Sequence, residues 1–243
     1  MRFFGSEWHI AIWNRLDHSV RSGTSAAEAA LGAPFWEYLT AKNPDAGAVF
    51  DAAMESTSAV QMGVVARKYD WDTATRVCDV GGGTGTLLSA ILGAHPSLRG
   101  VLFDLPSVVA KSKPVLDSAG VTDRVEVIGG DFFAAVPEGC DRYLLQAIVH
   151  DWDDDSCVRF LSNIREAMVD DGRILVLEFV MPEHDGDHFA KTIDLEMLVD
   201  TGAGRERTRA EFDALFARAG LRVHRTTPIA LTTMFELERA QVP

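Results

Sequence analysis

From residue 76 onward, short apolar segments alternate with helical stretches, and this alternation restricts the possible folds more than any other feature. Strand candidates are residues 76–80, 100–103, 125–128, 142–148 and 173–179. Helical patterns fall near 84–92, 107–119, 154–168 and 209–219. Strands that are apolar throughout need cover on both faces, and a helix after each strand supplies it, so the pattern predicts a parallel α/β sheet wound on both sides. The end departs from this rule. Residues 221–228 and 232–238 read as two strands with a short connection and no helix, an antiparallel hairpin at the end of the sheet. Seven mostly parallel strands are therefore expected.

Residues 1–70 read as helices only, which makes them a helical lobe before a sheet domain of residues 71–243. Apolar residues recur at helical spacing in 8–16, 26–31, 35–39 and 46–69, the last with Phe50 and Met54 on one side. Ser22-Gly23-Thr24 and Asn43-Pro44-Asp45 break the pattern and offer helix N-caps.

Composition narrows the function classes. Acidic residues outnumber basic ones 36 to 23, a net charge of −13, and no basic stripe offsets it, so a nucleic-acid partner is not expected. No stretch approaches the length of a membrane span, and the first residues lack a signal-peptide pattern. Cys78, Cys140 and Cys157 show no C-x-x-C spacing and read as buried thiols, so the expected location is the cytoplasm.

Four strand ends carry candidate chemistry. Asp79-Val80-Gly81-Gly82-Gly83-Thr84-Gly85 follows the first strand and runs into a helix; glycines there allow a sharp turn and close approach of a ligand. Gly81, Gly83 and Gly85 give G-x-G-x-G rather than the dinucleotide G-x-G-x-x-G, which suits a ligand without a pyrophosphate. Asp104, after the second strand, stands where a carboxylate binds ribose hydroxyls, or else caps the helix that Pro106 opens. Asp131 and Phe132, after the third, suit an adenine amino group and ring, or else cap a loop. His150, after the fourth, has a side chain with an ordinary pKa of about 6.5, suited to general-base work; the plain alternative is packing. His184 and His188 are four apart but flank Gly186 in a polar loop, so a solvated loop is preferred to a metal site.

With these sites in order, the sequence resembles the class I methyltransferases that use S-adenosylmethionine, and within them the caffeate- and hydroxyindole-type small-molecule O-methyltransferases with their bacterial polyketide relatives. The resemblance runs over nearly the whole chain, on VCDVGGGTG, VLFDLPSVV, GGDFF, IVHDWDD, DLEML, AGRERTRAEFDALFARAGL and NPDAGAVFDAAM. It implies a Rossmann-like fold. It implies that Gly81, with Gly83 in the same turn, meets the methionine end of the cofactor, Asp104 its ribose, and Asp131 with Phe132 its adenine, with a further contact from Trp152. His150 matches the family's catalytic base, and Glu178 and Glu206 match carboxylates that flank and orient it. Phe50, Met54 and Met197 match positions lining the acceptor pocket, although their spacing alone reads as core.

The resemblance also implies transfer to a hydroxyl, most readily a phenol, of a small aromatic molecule, with S-adenosylhomocysteine as product and no metal. Plant members often carry Lys four residues before the histidine; here Gln146 stands there, so that cofactor contact is altered or lost. The family's homodimer forms through an N-terminal winged-helix domain, and Met1 falls after where that domain would end. The rival readings are a cofactor-binding scaffold without methylation and a nicotinamide-dependent dehydrogenase, the latter opposed by the glycine spacing and the terminal hairpin.

Overall fold

The computed structural model describes residues 2–240 and, for residues 55 and 57–62, the backbone alone. In chain order the elements begin with α1 (Glu7–Trp13), α2 (Leu16–Ser22), α3 (Ala26–Leu31), α4 (Phe35–Glu37) and α5 (Pro44–Lys68). Then come β1 (Arg76–Val80), α6 (Thr86–Ala94), β2 (Arg99–Asp104), α7 (Pro106–Val109), α8 (Lys113–Ser118), β3 (Val125–Gly129), β4 (Arg142–Gln146) and α9 (Asp154–Ala167). The chain ends with β5 (Arg173–Glu178), β6 (Val180–Met181), α10 (Phe189–Asp200), β7 (Arg207–Thr208), α11 (Arg209–Arg218), β8 (Leu221–Ile229) and β9 (Thr232–Arg239).

These elements gather into two compact units. The first holds the chain up to Thr57 together with residues 150–153 and 180–208. The second holds residues 58–149 and 154–179 and the chain from Arg209 on. The sequence alone places a boundary near residue 70; the units are instead built from interleaved segments.

The larger unit carries the expected seven-stranded sheet, in the order β3-β2-β1-β4-β5-β9-β8. The first five strands pair in parallel, and β9 is antiparallel to both β5 and β8. Chain order steps outward from β1 to β3 and then reverses to β4, which makes the carboxyl ends of β1 and β4 the switch point where open α/β sheets bind ligands. α6 fixes that edge. Its Leu88, Ile91 and Leu92 are wholly buried, in one core with Val77 of β1 and Leu102 of β2. Each such side chain contributes about 1.5–3 kcal/mol.

One expected helix differs. Residues 107–119 form two short helices, α7 and α8, because Pro114 near the start of α8 has no N–H to continue the first helix and disfavours helical geometry in the residue before it.

In the smaller unit, Phe3, Ile12, Ala26, Ala27, Phe35, Leu39, Ala46 and Val199 form the core. Both expected breaks lie between helices, though the N-cap after the first is Ser25, one residue past Thr24. Gly23 closes α2 in the left-handed conformation at φ 69°, the Ser25 hydroxyl accepts from Ala27 N–H at 3.0 Å, and Asn43 Oδ1 accepts from Ala46 N–H at 3.1 Å.

Candidate active site

In the larger unit the glycine turn is held from below. The N–H groups of Gly81 and Gly82 donate to the Phe103 carbonyl at 2.8 and 3.3 Å, tying the turn to β2. Gly81 has φ +69°, which favours glycine, and a Cβ there would lie 2.5 Å from Ile148 Cδ1, so that side chain would also have to shift. Gly83 has φ +60° with open space where its Cβ would stand, which leaves room for a ligand against the backbone. Asp104 ends β2, and its carboxylate accepts from Gly83 N–H at 2.8 Å and from Leu105 N–H at 2.6 Å. It therefore braces the turn rather than capping α7, whose N-cap is Leu105.

Asp79 lies beneath the same turn, 2% exposed, with Oδ2 lacking a hydrogen-bond partner. Burial, with the nearby Asp104 charge adding to it, pushes its carboxyl up to about 7. Asp79 opens the glycine motif, but no local signal in the sequence marks its burial.

β3 leads to Asp131 and Phe132. Asp131 Oδ1 accepts from Phe133 N–H at 2.8 Å, closing its own turn, so the loop-cap alternative is what this oxygen does. The Phe132 ring packs edge-on to Phe160, centroids 5.1 Å apart. A groove of about 370 Å³ runs beside them, lined by Phe103, Ile128, Gly130 and Asp131 among others. β4 ends at Gln146, opposite Leu177 of β5. Glu178, wholly buried at the end of β5, accepts through Oε1 from Ile148 N–H at 3.0 Å and Val149 N–H at 2.7 Å. Within this unit it fixes the backbone that leads directly into His150. Ala147 in that stretch takes φ +53°, a conformation that costs a non-glycine residue about 1–2 kcal/mol.

The smaller unit holds His150, Trp152, Glu206 and Met197. His150 Nδ1 lies 2.8 Å from Glu206 Oε1, and the Glu206 side chain is wholly buried. Two neighbouring bonds lock the segments together: Arg205 N–H donates to the His150 carbonyl at 2.8 Å, and the buried Arg207 guanidinium donates to the Trp152 carbonyl at 2.8 Å. Glu206 N–H in turn donates to Asp194 Oδ1 at 2.8 Å. Asp151 Oδ1 stands 3.7 Å from His150 Nε2, and burial raises the Asp151 carboxyl to about 6 against the lowering pull of His150. Met197 lies buried on α10. Phe50 sits in an aromatic group, its ring 5.5 Å from Phe3 and 5.6 Å from both Phe35 and Trp36. Met54 is half-buried on α5.

His184 and His188 each close a local turn. His188 Nδ1 accepts from Ala190 N–H at the start of α10, and His184 Nδ1 accepts from Gly186 N–H, each at 3.2 Å. Among the described residues no helix is long and apolar enough to cross a membrane.

Residues 13–222 match the family model of the O-methyltransferase domain. The chain is 42% identical over 229 residues to a mitomycin biosynthesis 6-O-methyltransferase of Streptomyces lavendulae, covering 93% of this chain and 64% of that protein. It thus spans a little under two thirds of that relative. A solved mitomycin 7-O-methyltransferase superposes with a TM-score of 0.92 at 41% identity, over 98% of this chain and 70% of the other. An O-methyltransferase from neocarzinostatin biosynthesis, solved with S-adenosylmethionine and 2-hydroxy-5-methyl naphthoic acid, gives a TM-score of 0.86 at 37% identity, over 94% and 68%.

Proposed function

The chain belongs to the O-methyltransferase domain family, and on that premise we propose that it moves a methyl group from S-adenosylmethionine to a hydroxyl, preferably phenolic, of a small aromatic molecule. The observation that carries the reading is the 2.8 Å bond between His150 Nδ1 and the buried Glu206 carboxylate. A carboxylate only accepts, so Nδ1 carries the hydrogen and Nε2 keeps the lone pair that takes a proton. Glu206 also stabilises the imidazolium that forms, the part a carboxylate plays in a catalytic triad.

The residues at the sheet edge suit the cofactor. The open backbone at Gly83 leaves room for its chain, and Gly81 would lie at its methionine end. Asp104 keeps acceptor capacity for ribose hydroxyls beyond its two backbone bonds. Asp131 and Phe132 would meet the adenine, and the family resemblance gives Gln146 and Trp152 as further cofactor contacts. Asp79, buried with an unpartnered oxygen, favours a positively charged ligand above it. When bound, S-adenosylmethionine supplies an electrophilic methyl group on a sulfonium.

The chain's own residues then do two things. Phe50, Met54 and Met197 hold a flat apolar acceptor, and orientation alone removes much of the barrier. His150 Nε2 takes the hydroxyl proton as the oxygen attacks. A phenol near pKa 10 lies only about 3.5 units above histidine, so proton removal during transfer is feasible. Glu178 positions the base by holding the Ile148 and Val149 amides. Three buried, unbridged cysteines support a reducing location, the cytoplasm.

The reading is tested by incubating the protein with isotope-labelled S-adenosylmethionine and a panel of aromatic hydroxyl compounds. Mass-shifted products bearing one methyl per acceptor are expected. Tight cofactor binding with no product across the panel would favour a scaffold instead.

A further inference from the structure

We propose that His9, Glu196 and Asp200 form a binding site for a zinc-class divalent cation that clips α10 to α1. His9 lies on α1, and Glu196 and Asp200 stand four residues apart on one face of α10. All three are buried, and one ligand atom from each lies within 4.8 Å of the others. His9 Nε2 and Glu196 Oε1 share a 2.5 Å hydrogen bond, which a cation would replace by spreading the two atoms to about 3.3 Å. A nitrogen and two carboxylate oxygens, with a water completing a tetrahedron, make a donor set that zinc accepts at about 2.0–2.2 Å. Calcium and magnesium take oxygen ligands, and more of them than this site offers.

Two further observations point to a cation. Asp200 is 3% exposed and its Oδ1 has no hydrogen-bond partner. The other face of the Glu196 carboxylate is oriented from behind, where Trp13 Nε1–H donates to Oε2 at 2.9 Å, the kind of outer bond that aims a metal ligand. Two carboxylates one helical turn apart in a dry site favour positive charge beside them. Glu196, 10% exposed at its side chain, is where the site reaches solvent.

The site uses none of the residues assigned to methyl transfer, although Met197 stands between its two α10 ligands. His9 and Glu196 are 187 residues apart in sequence, so only the folded chain presents the ligands together and the cation stabilises the fold by mass action.

The test uses the full chain with zinc chloride followed by calorimetry, and cobalt(II) followed by its visible absorption. Glu196→Gln and Asp200→Asn keep side-chain shape, and Asp200→Asn removes a carboxyl whose burial is costly, so it folds. One zinc per chain, a rise in Tm and tetrahedral cobalt bands are expected for the parent protein, with affinity falling about 100-fold or more in both variants and unchanged in His150→Ala. The proposal is overturned if the parent protein binds no zinc, if binding survives both substitutions, or if His150→Ala abolishes it. None of these readouts depends on methyl transfer, so they fail or succeed independently of that function.

Discussion

His150 and Glu206, 56 residues apart in sequence, meet through a 2.8 Å bond from Nδ1 to Oε1, with the carboxylate wholly buried. Replacing Glu206 by Gln keeps a polar partner but removes the negative charge and frees the imidazole to adopt the other tautomer. A fall in kcat of about 100-fold or more is expected, with the dissociation constant of S-adenosylhomocysteine unchanged. Steady-state rates and calorimetry on the same preparation check both parts.

Asp104 carries a different load. It binds Gly83 N–H and Leu105 N–H in addition to any ribose hydroxyl. Asp104→Ala is expected to weaken S-adenosylhomocysteine about 10- to 100-fold, since hydrogen bonds to a charged group are worth about 1.5–3 kcal/mol. Calorimetry measures it directly, and an unchanged affinity would remove the residue from the cofactor site.

The two glycines of the turn should respond unequally. Gly81→Ala adds a clash with Ile148 to an unfavourable φ, whereas Gly83→Ala meets open space and suffers the φ alone, about 1–2 kcal/mol. Gly81→Ala should lower Tm more. Gly83→Ala should lower cofactor affinity disproportionately to its loss of stability, because its methyl group fills the space against the backbone. Thermal melts with and without S-adenosylhomocysteine separate the two.

Asp79 gives the cofactor-free protein a pH signature. Its carboxyl is raised from the ordinary value to about 7, so the folded state prefers the protonated form. The stability this contributes is complete below the unfolded pKa of about 4 and is lost as pH rises to about 7. Asp79→Asn, which escapes that loss and still accepts a hydrogen bond, should stabilise the protein more at pH 8 than at pH 5, by about 2 kcal/mol. Denaturant melts at the two pH values show the difference; an equal gain at both would mean that Asp79 ionises normally.

Much of this molecule can be read from local sequence. The glycine turn declares itself because left-handed backbone needs glycine, and the terminal hairpin because two β-rich segments lack a helix between them. What stays hidden is set by contacts far apart in the chain. Nothing near Glu178 shows that its carboxylate caps the amides of Ile148 and Val149, thirty residues earlier in the chain. Ala147 turns left-handed without a glycine to announce it. His9 reads as one polar residue in an apolar helix until α10 brings Glu196 beside it. The break between α7 and α8, by contrast, is marked locally by Pro114.

In the proposed reaction His150 removes the acceptor proton during methyl transfer. The most direct measurement is the single-turnover rate of transfer from labelled S-adenosylmethionine to a phenolic acceptor, parent protein against His150→Ala, with S-adenosylhomocysteine affinity measured in parallel. A loss of about 100- to 10,000-fold in rate, with affinity preserved, is the predicted result. A variant that keeps nearly the full rate at unchanged affinity would contradict it and leave orientation alone to carry catalysis.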